Sequence, residues 1–204
     1  MNTSILRKYF IMGSQNCSRN PEDILLEAID AGITAFQYRE KGPNSLEFNE
    51  KIELGKKLRQ ICLDHDIPFI INDNSELIDL LNVDGIHVGQ NDISTDLLRK
   101  KHPNLLIGLS IGNESELKQS NLETIDYIGV GPIYSTSSKA DAGHAVGTKW
   151  IKKLKNEYPQ LPIVGIGGIT TENAHKVISA GADGVSVISA ITQSDDIKQT
   201  VNLL

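Results

Sequence analysis

The sequence predicts an α/β fold, a (β/α)8 barrel, on two observations. Eight short apolar runs recur along the 204 residues. Most are continuous rather than alternating, as strands covered on both faces are. Each is followed by a polar stretch with apolar residues at helical spacing, and eight strand–helix pairs are the number that closes such a barrel. The length is short for this fold, so the connections must be tight.

Taken in order, the first strand is "YFIMG" (9–13). The helix after it, "PEDILLEAIDAG", has an acidic first turn and a glycine stop. "ITAFQYRE" (33–40) leads into "SLEFNEKIELGKKLRQICLDHD", a long amphipathic stretch. "PFIIND" (68–73), "GIHVGQ" (85–90), "LLIGLSI" (105–111) and "YIGVGPIY" (127–134) are the next four strands. "PIVGIGG" (162–168) precedes "TTENAHKVISAGA", read as a helix starting at "TTEN" and stopping at glycine, and "GVSVISAI" (184–191) is the eighth strand. "VDGIHVG", "IDYIGVG" and "ADGVSVI" each place an aspartate just before a strand. Asp84, Asp126 and Asp183 are therefore read as repeated turn chemistry. No Pro/Gly-rich linker or low-complexity segment divides the chain, so residues 1–204 are expected to form one domain.

Composition narrows the classes of partner. Hydrophobic residues are 39 %, charged residues 23 % and the net charge is −6, which is ordinary for a soluble globular protein. No basic stripe is present, so nucleic acid is not an expected partner. The lysines from Lys149 to Lys155 read as the solvated face of a helix. Cys17 and Cys62 have neither metal nor CxxC spacing, and a reducing, cytoplasmic setting is expected. The apolar stretch of "MNTSILRKYFIMG" is too short for a signal peptide or a membrane span.

Active sites of such barrels lie at the C-terminal ends of the strands, so the residues there are the candidates. In "FQYREK", Gln37, Arg39 and Lys41 occupy alternate positions and share one face of a strand. Strand three ends in Asn72 and Asp73, and strand four runs into Gln90, Asn91 and Asp92. Strand five carries Ser110. Strand six runs into Thr136, Ser138 and Lys139, strand seven ends in Gly165 to Gly168, and strand eight carries Ser189. Amides at a glycine turn and a helix start bind phosphate, which assigns the seventh and eighth strand ends to a phosphate group. Asp73 and Asp92 have two readings, as helix N-caps or as ligands. Beside Arg39, Lys41 and Lys139, a Mg²⁺ bridging to a polyphosphate is the preferred one. Metal and cations together would neutralise a departing pyrophosphate.

The histidines carry less. His65 and His102 lie in polar segments and His175 on a helix. His87 lies mid-strand and reads as a hydrogen-bonded barrel residue. His144 lies in "KADAGHAVG", a loop read as solvated, with a lid as the alternative. Trp150 is expected near the start of the helix after strand six. No Ser-His-Asp or Cys-His arrangement is apparent, so no covalent hydrolytic intermediate is expected.

In order and over nearly the whole chain, "FQYREKG", "PFIINDN", "DGIHVGQND", "GLS", "YIGVGPIYSTSSK", "PIVGIGGIT" and "AGADGVSVISAI" resemble the thiamine phosphate synthase family. The resemblance implies a Mg²⁺-dependent transferase. It would join 4-amino-2-methyl-5-hydroxymethylpyrimidine diphosphate to 4-methyl-5-(2-phosphoethyl)thiazole, through loss of pyrophosphate and a pyrimidine-stabilised carbocation. It implies that Gln37, Arg39, Lys41, Asn72 and Lys139 hold the pyrimidine diphosphate, with Arg39, Lys139 and Ser110 closest to the chemistry. It gives Mg²⁺ to Asp73 and Asp92, the thiazole side to Thr136 and Ser138, and the thiazole phosphate to Gly168, Ile188 and Ser189. It also suggests a homodimer. The chain departs from the family's usual pattern at Ser135 and Ser138, where proline and threonine are common, and at Ile111 to Asn113. The rival readings are a thiazole tautomerase or non-catalytic thiazole-phosphate-binding paralogue and, more distantly, a phosphosugar isomerase. The last would need a general base at the mouth, and none is clear.

Overall fold

A computed structural model of the chain describes residues 2–136, 138 and 143–204. Eight parallel strands close in sequence order into a barrel, β1 pairing with both β2 and β8. They are β1 (Lys8–Met12), β2 (Ala35–Tyr38), β3 (Phe69–Asn72), β4 (Gly85–Val88), β5 (Leu106–Ser110), β6 (Tyr127–Val130), β7 (Ile163–Ile166) and β8 (Gly184–Val187). Each coincides with one of the eight apolar runs, β1 beginning one residue earlier.

The helices follow their strands. They are α1 (Pro21–Asp30), α2 (Phe48–Asp64), α3 (Leu77–Leu81), α4 (Thr95–Lys101), α5 (Glu114–Gln119), α6 (Gly147–Glu157) and α7 (Ala174–Ser179), with α8 (Ser189–Thr192) and α9 (Ile197–Leu203) after β8. α1 starts where its sequence requires, with Asn20 capping the Glu22 N–H, Pro21 in the first turn and Glu22 and Asp23 beside the positive helix end. The start read at "TTEN" is corrected: α7 begins at Ala174. Thr170 donates its N–H to Asn173 Oδ1 at 2.9 Å, and Asn173 Nδ2 donates to the Gly168 carbonyl at 3.0 Å. Those bonds hold residues 170–173 in a turn.

Strand alternation makes two cores. One face of each strand packs against the helices, burying residues such as Phe10, Phe36, Ile71, Val130 and Val185. The other fills the barrel with Tyr9, Ile11, Ala35, Ile70, Tyr127 and Val164. The three aspartates before strands are structural, as the repeat suggested. Asp84, Asp126 and Asp183 each accept the N–H of the first or second residue of the preceding strand at 2.8 Å: Phe69, Ile107 and Ile163. Each also meets a base, Arg59, Arg99 or Lys155.

The lysine-rich face of α6 is partly paired: Lys153 meets Glu114 and Lys155 meets Asp183. Trp150 lies in the first turn of α6 and reaches the Ile111 carbonyl. Both cysteines are free thiols. Among the described residues no helix is long and apolar enough to cross a membrane.

Candidate active site

The alternation read in "FQYREK" sets the first part of the site. Gln37 points into the barrel and is 1 % exposed, and its Nε2 donates to Tyr9 Oη at 2.9 Å. Arg39 follows β2, 5 % exposed, with its N–H bonded to the Met12 carbonyl at 2.9 Å. Lys41 is exposed, and its Nζ donates to Asp73 Oδ2 at 2.5 Å. Alternation thus carries a buried amide, a buried cation and an exposed cation from the barrel interior to its mouth.

Asn72 closes β3. Asp73 follows with φ +57°, a left-handed conformation unusual for aspartate, and donates its N–H to the His87 carbonyl at 2.9 Å. Asp92 accepts the Gly89 N–H through Oδ2 at 2.7 Å. Neither aspartate caps the following helix: α4 is capped by Ser94, and α3 has no side-chain cap. Burial raises the Asp73 pKa, the Lys41 ammonium opposes the rise, and neighbouring Asp92 adds to it. Two crowded carboxylates of hard oxygen fit Mg²⁺. Among the described residues no group of three His, Cys, Asp or Glu converges, so substrate oxygens and water would have to complete the coordination.

A hydrogen-bonded chain through the barrel interior, unforeseen from the sequence, links this arm to strand five. Gln37 bonds to Tyr9, the Tyr9 and Tyr127 hydroxyls are 2.8 Å apart, Tyr127 Oη is 3.1 Å from His87 Nδ1, and His87 Nε2 is 2.9 Å from Ser110 Oγ. His87 is a hydrogen-bonded barrel residue as expected, but its partners reach two site residues. Burial raises the pKa of both tyrosines, so they stay neutral. Room for the chain comes from strand glycines. A Cβ at Gly108 would lie 2.3 Å from Tyr127 Cζ and 2.4 Å from His87 Nδ1, and one at Gly129 would lie 2.8 Å from His87 Cε1. Those glycines, within "IGLS" and "IGVG", were the readable signal.

The second part of the site is a cavity of about 360 Å³ lined by Ser110, Thr136, Ser138, Gly168, Ile188 and Ser189 among others. Gly167 and Gly168 turn the chain at φ +94° and +64°. A Cβ at Gly168 would lie 2.5 Å from the Ser135 carbonyl, so the glycine turn is required by close approach as well as by φ. Ser138 Oγ donates to Ser189 Oγ at 3.2 Å, joining the strand-six loop to the end of β8. Gln37, Arg39, Lys41, Asn72, Asp73 and Asp92 stand outside the cavity lining, whereas Gly89, Gln90 and Asn91, just before Asp92, belong to it. Ser110 is common to the cavity and the interior chain. Lys139 lies outside the described residues, as do residues 140–142 of the loop weighed as a lid, while His144 is exposed.

Comparison with known proteins agrees with this geometry. A family model described as thiamine monophosphate synthase matches residues 8–191. A thiamine-phosphate synthase of Oceanobacillus iheyensis is 60 % identical over 200 residues, covering 98 % of this chain and 97 % of that protein. One of Staphylococcus haemolyticus is 50 % identical over 202 residues, covering 98 % and 95 %. Among solved structures, a thiamine phosphate pyrophosphorylase from Pyrococcus furiosus superposes with a TM-score of 0.85 at 29 % identity, covering 99 % of this chain and 95 % of that one.

Proposed function

The chain belongs to the thiamine monophosphate synthase family, and from that premise we propose that it joins 4-amino-2-methyl-5-hydroxymethylpyrimidine diphosphate to 4-methyl-5-(2-phosphoethyl)thiazole, releasing pyrophosphate and thiamine phosphate. The observation that carries this reading is that the cationic arm with its paired carboxylates and the glycine turn against β8 both stand at the C-terminal ends of the barrel strands. A cationic arm beside paired carboxylates suits a diphosphate with a divalent cation. A glycine turn against the end of β8 suits a monophosphate.

Arg39, Lys41, Asn72 and Lys139 hold the diphosphate, and Asp73 and Asp92 hold Mg²⁺. When bound, that ion supplies a hard, divalent charge that offsets the charge growing on the leaving group. Thr136 and Ser138 shape the thiazole side, and Gly168, Ile188 and Ser189 receive its phosphate. Gln37 orients the pyrimidine; its Oε1 has no hydrogen-bond partner among the described residues and is available to a ligand donor. Ser110, fixed by His87, meets the pyrophosphate or the developing cation.

The bond from the pyrimidine methylene to oxygen breaks with its electron pair going to pyrophosphate. The cation left behind is stabilised by the aminopyrimidine, and the thiazole nitrogen lone pair then forms the new C–N bond. No protein nucleophile is needed. The chain's work is to position both rings, hold the departing charge and keep water from the cation.

Pyrophosphate release by the purified protein tests the reading. Release is expected only with both substrates and Mg²⁺ together. No release, with thiazole phosphate still bound, would replace it with the tautomerase or binding-protein reading.

A further inference from the structure

Between Arg39 and Lys41 stands a carboxylate that faces the other way. Alternation sends Tyr38 and Glu40 towards the surrounding loops and helices. Glu40 is 7 % exposed, and a carboxylate so buried is costly unless donors meet it. Three do. Oε1 accepts Ser14 Oγ–H at 2.6 Å and the Leu46 N–H at 2.9 Å, and Oε2 accepts the Ser14 N–H at 2.8 Å. Ser14 lies just beyond β1, and Leu46 lies just before α2. One side chain therefore laces the end of β2 to two neighbouring loops with charge-assisted bonds.

The backbone on either side of Glu40 is held by the same loop. Gln15 Nε2 donates to the Arg39 carbonyl at 2.8 Å and reaches the Lys41 carbonyl at 3.4 Å. Gly13 permits the approach, since a Cβ there would lie 2.1 Å from the Arg39 carbonyl oxygen. All these ties lie beyond the last register pair of β1 with β2, Met12 with Tyr38. None reaches β7 or β8. They fix the mouth beside the cationic arm rather than the closed ladder below it.

We propose that Glu40 is a positioning residue for the diphosphate: held by Ser14 and Leu46, it sets the direction in which Arg39 and Lys41 present their charges. The proposal rests on reading that arm as the pyrimidine diphosphate site. It acts on one substrate only, because the glycine turn that receives the other phosphate shares no contact with the clamp.

The test is Glu40→Gln in the full chain, with Ser14→Ala and Ser14→Thr beside it. The Ser14 hydroxyl can reverse to accept from the new amide, but the Ser14 and Leu46 N–H groups cannot. Either orientation of the amide sets a donor against a donor. The expected result is a KM for the pyrimidine diphosphate raised about tenfold, the loss of roughly one charge-assisted bond. The KM for the thiazole phosphate should stay within about twofold. Ser14→Ala should move the same KM in the same direction by less, and Ser14→Thr, which keeps the hydroxyl, should restore it. A lowered Tm with both KM values unchanged, or both raised together, would overturn the proposal and leave Glu40 a structural residue. Should Glu40→Gln fail to fold, the Ser14 pair gives the same comparison.

Titration of inorganic pyrophosphate with Mg²⁺ separates this idea from the functional one. Affinity that falls in Glu40→Gln supports the clamp even if the wild type couples nothing. Unchanged affinity in a wild type and variant that both turn over would sink the clamp and leave the synthase reading standing.

Discussion

The fold brings Asp73 and Asp92 close enough for their carboxylates to repel one another. Burial and the neighbouring carboxylate raise the Asp73 pKa, and the Lys41 ammonium only partly offsets this. A raised carboxyl pKa means that the folded protein holds the proton more tightly than the unfolded chain does. The charged pair therefore costs stability above that raised value, and the cost fades as pH falls through it towards the ordinary carboxylate value. Asp92→Asn keeps an oxygen for the Gly89 N–H and removes the repulsion. In metal-free buffer at neutral pH its Tm should equal or exceed the wild-type value, and the difference should shrink on acidification. Turnover should fall by about a hundredfold or more, and Asp73→Ala should lose a similar factor while staying folded. An Asp92→Asn enzyme with near wild-type turnover in Mg²⁺ would remove Asp92 from the ligand set. The positions of these carboxylates were readable because each follows a strand in the sequence, and Asp73 also has the Lys41 ammonium beside it. Tyr9 and Tyr127 were not, because a tyrosine in an apolar run looks like any core residue until the fold brings two strands together across the barrel.

The strands were legible because a parallel barrel buries both faces and writes each strand as a continuous apolar run. Helix starts were legible where a cap, a proline and acidic residues coincide, as at α1. They were not at α7, where Asn173 turns back onto Gly168 and delays the helix. The aspartate before β4, β6 and β8 shows how local chemistry fixes an element. Each carboxylate takes a strand N–H that would otherwise lack a partner and a base from the helix layer. Asp183→Ala strips Lys155 Nζ of the carboxylate bond at 2.9 Å and the Ile163 N–H of its acceptor at 2.8 Å. The expected loss is about 1–3 kcal/mol of stability, read by denaturant unfolding, with both KM values unchanged because β7 and β8 still carry the glycine turn. A changed KM for the thiazole phosphate would show that this turn also sets the phosphate site at the other end of the strands.

The barrel as a whole depends on its last seam. β8 must return to β1 after the full circuit, and register there pairs Lys8 with Val185 and Tyr9 with Ser186. The tightest point is Gly184. A Cβ there would lie 1.7 Å from the Leu6 carbonyl oxygen and 2.3 Å from its carbon, which is backbone and cannot swing away. Leu6 itself is fully buried under the barrel, and the Val185 N–H donates to the Arg7 carbonyl at 3.2 Å, so retreat on either side breaks a packed contact or a ladder bond. Gly184→Ala adds a single methyl group far from the mouth, and it is expected to cost about 3 kcal/mol or more by forced overpacking. For a chain of this size that is a fall in Tm of roughly 6–12 °C. The same methyl at Gly143, which among the described residues has nothing within 4 Å of its would-be Cβ, should change Tm little. Equal Tm values for the two variants would mean that β8 shifts to admit the methyl, and that closure is set by the remaining ladders rather than by this seam.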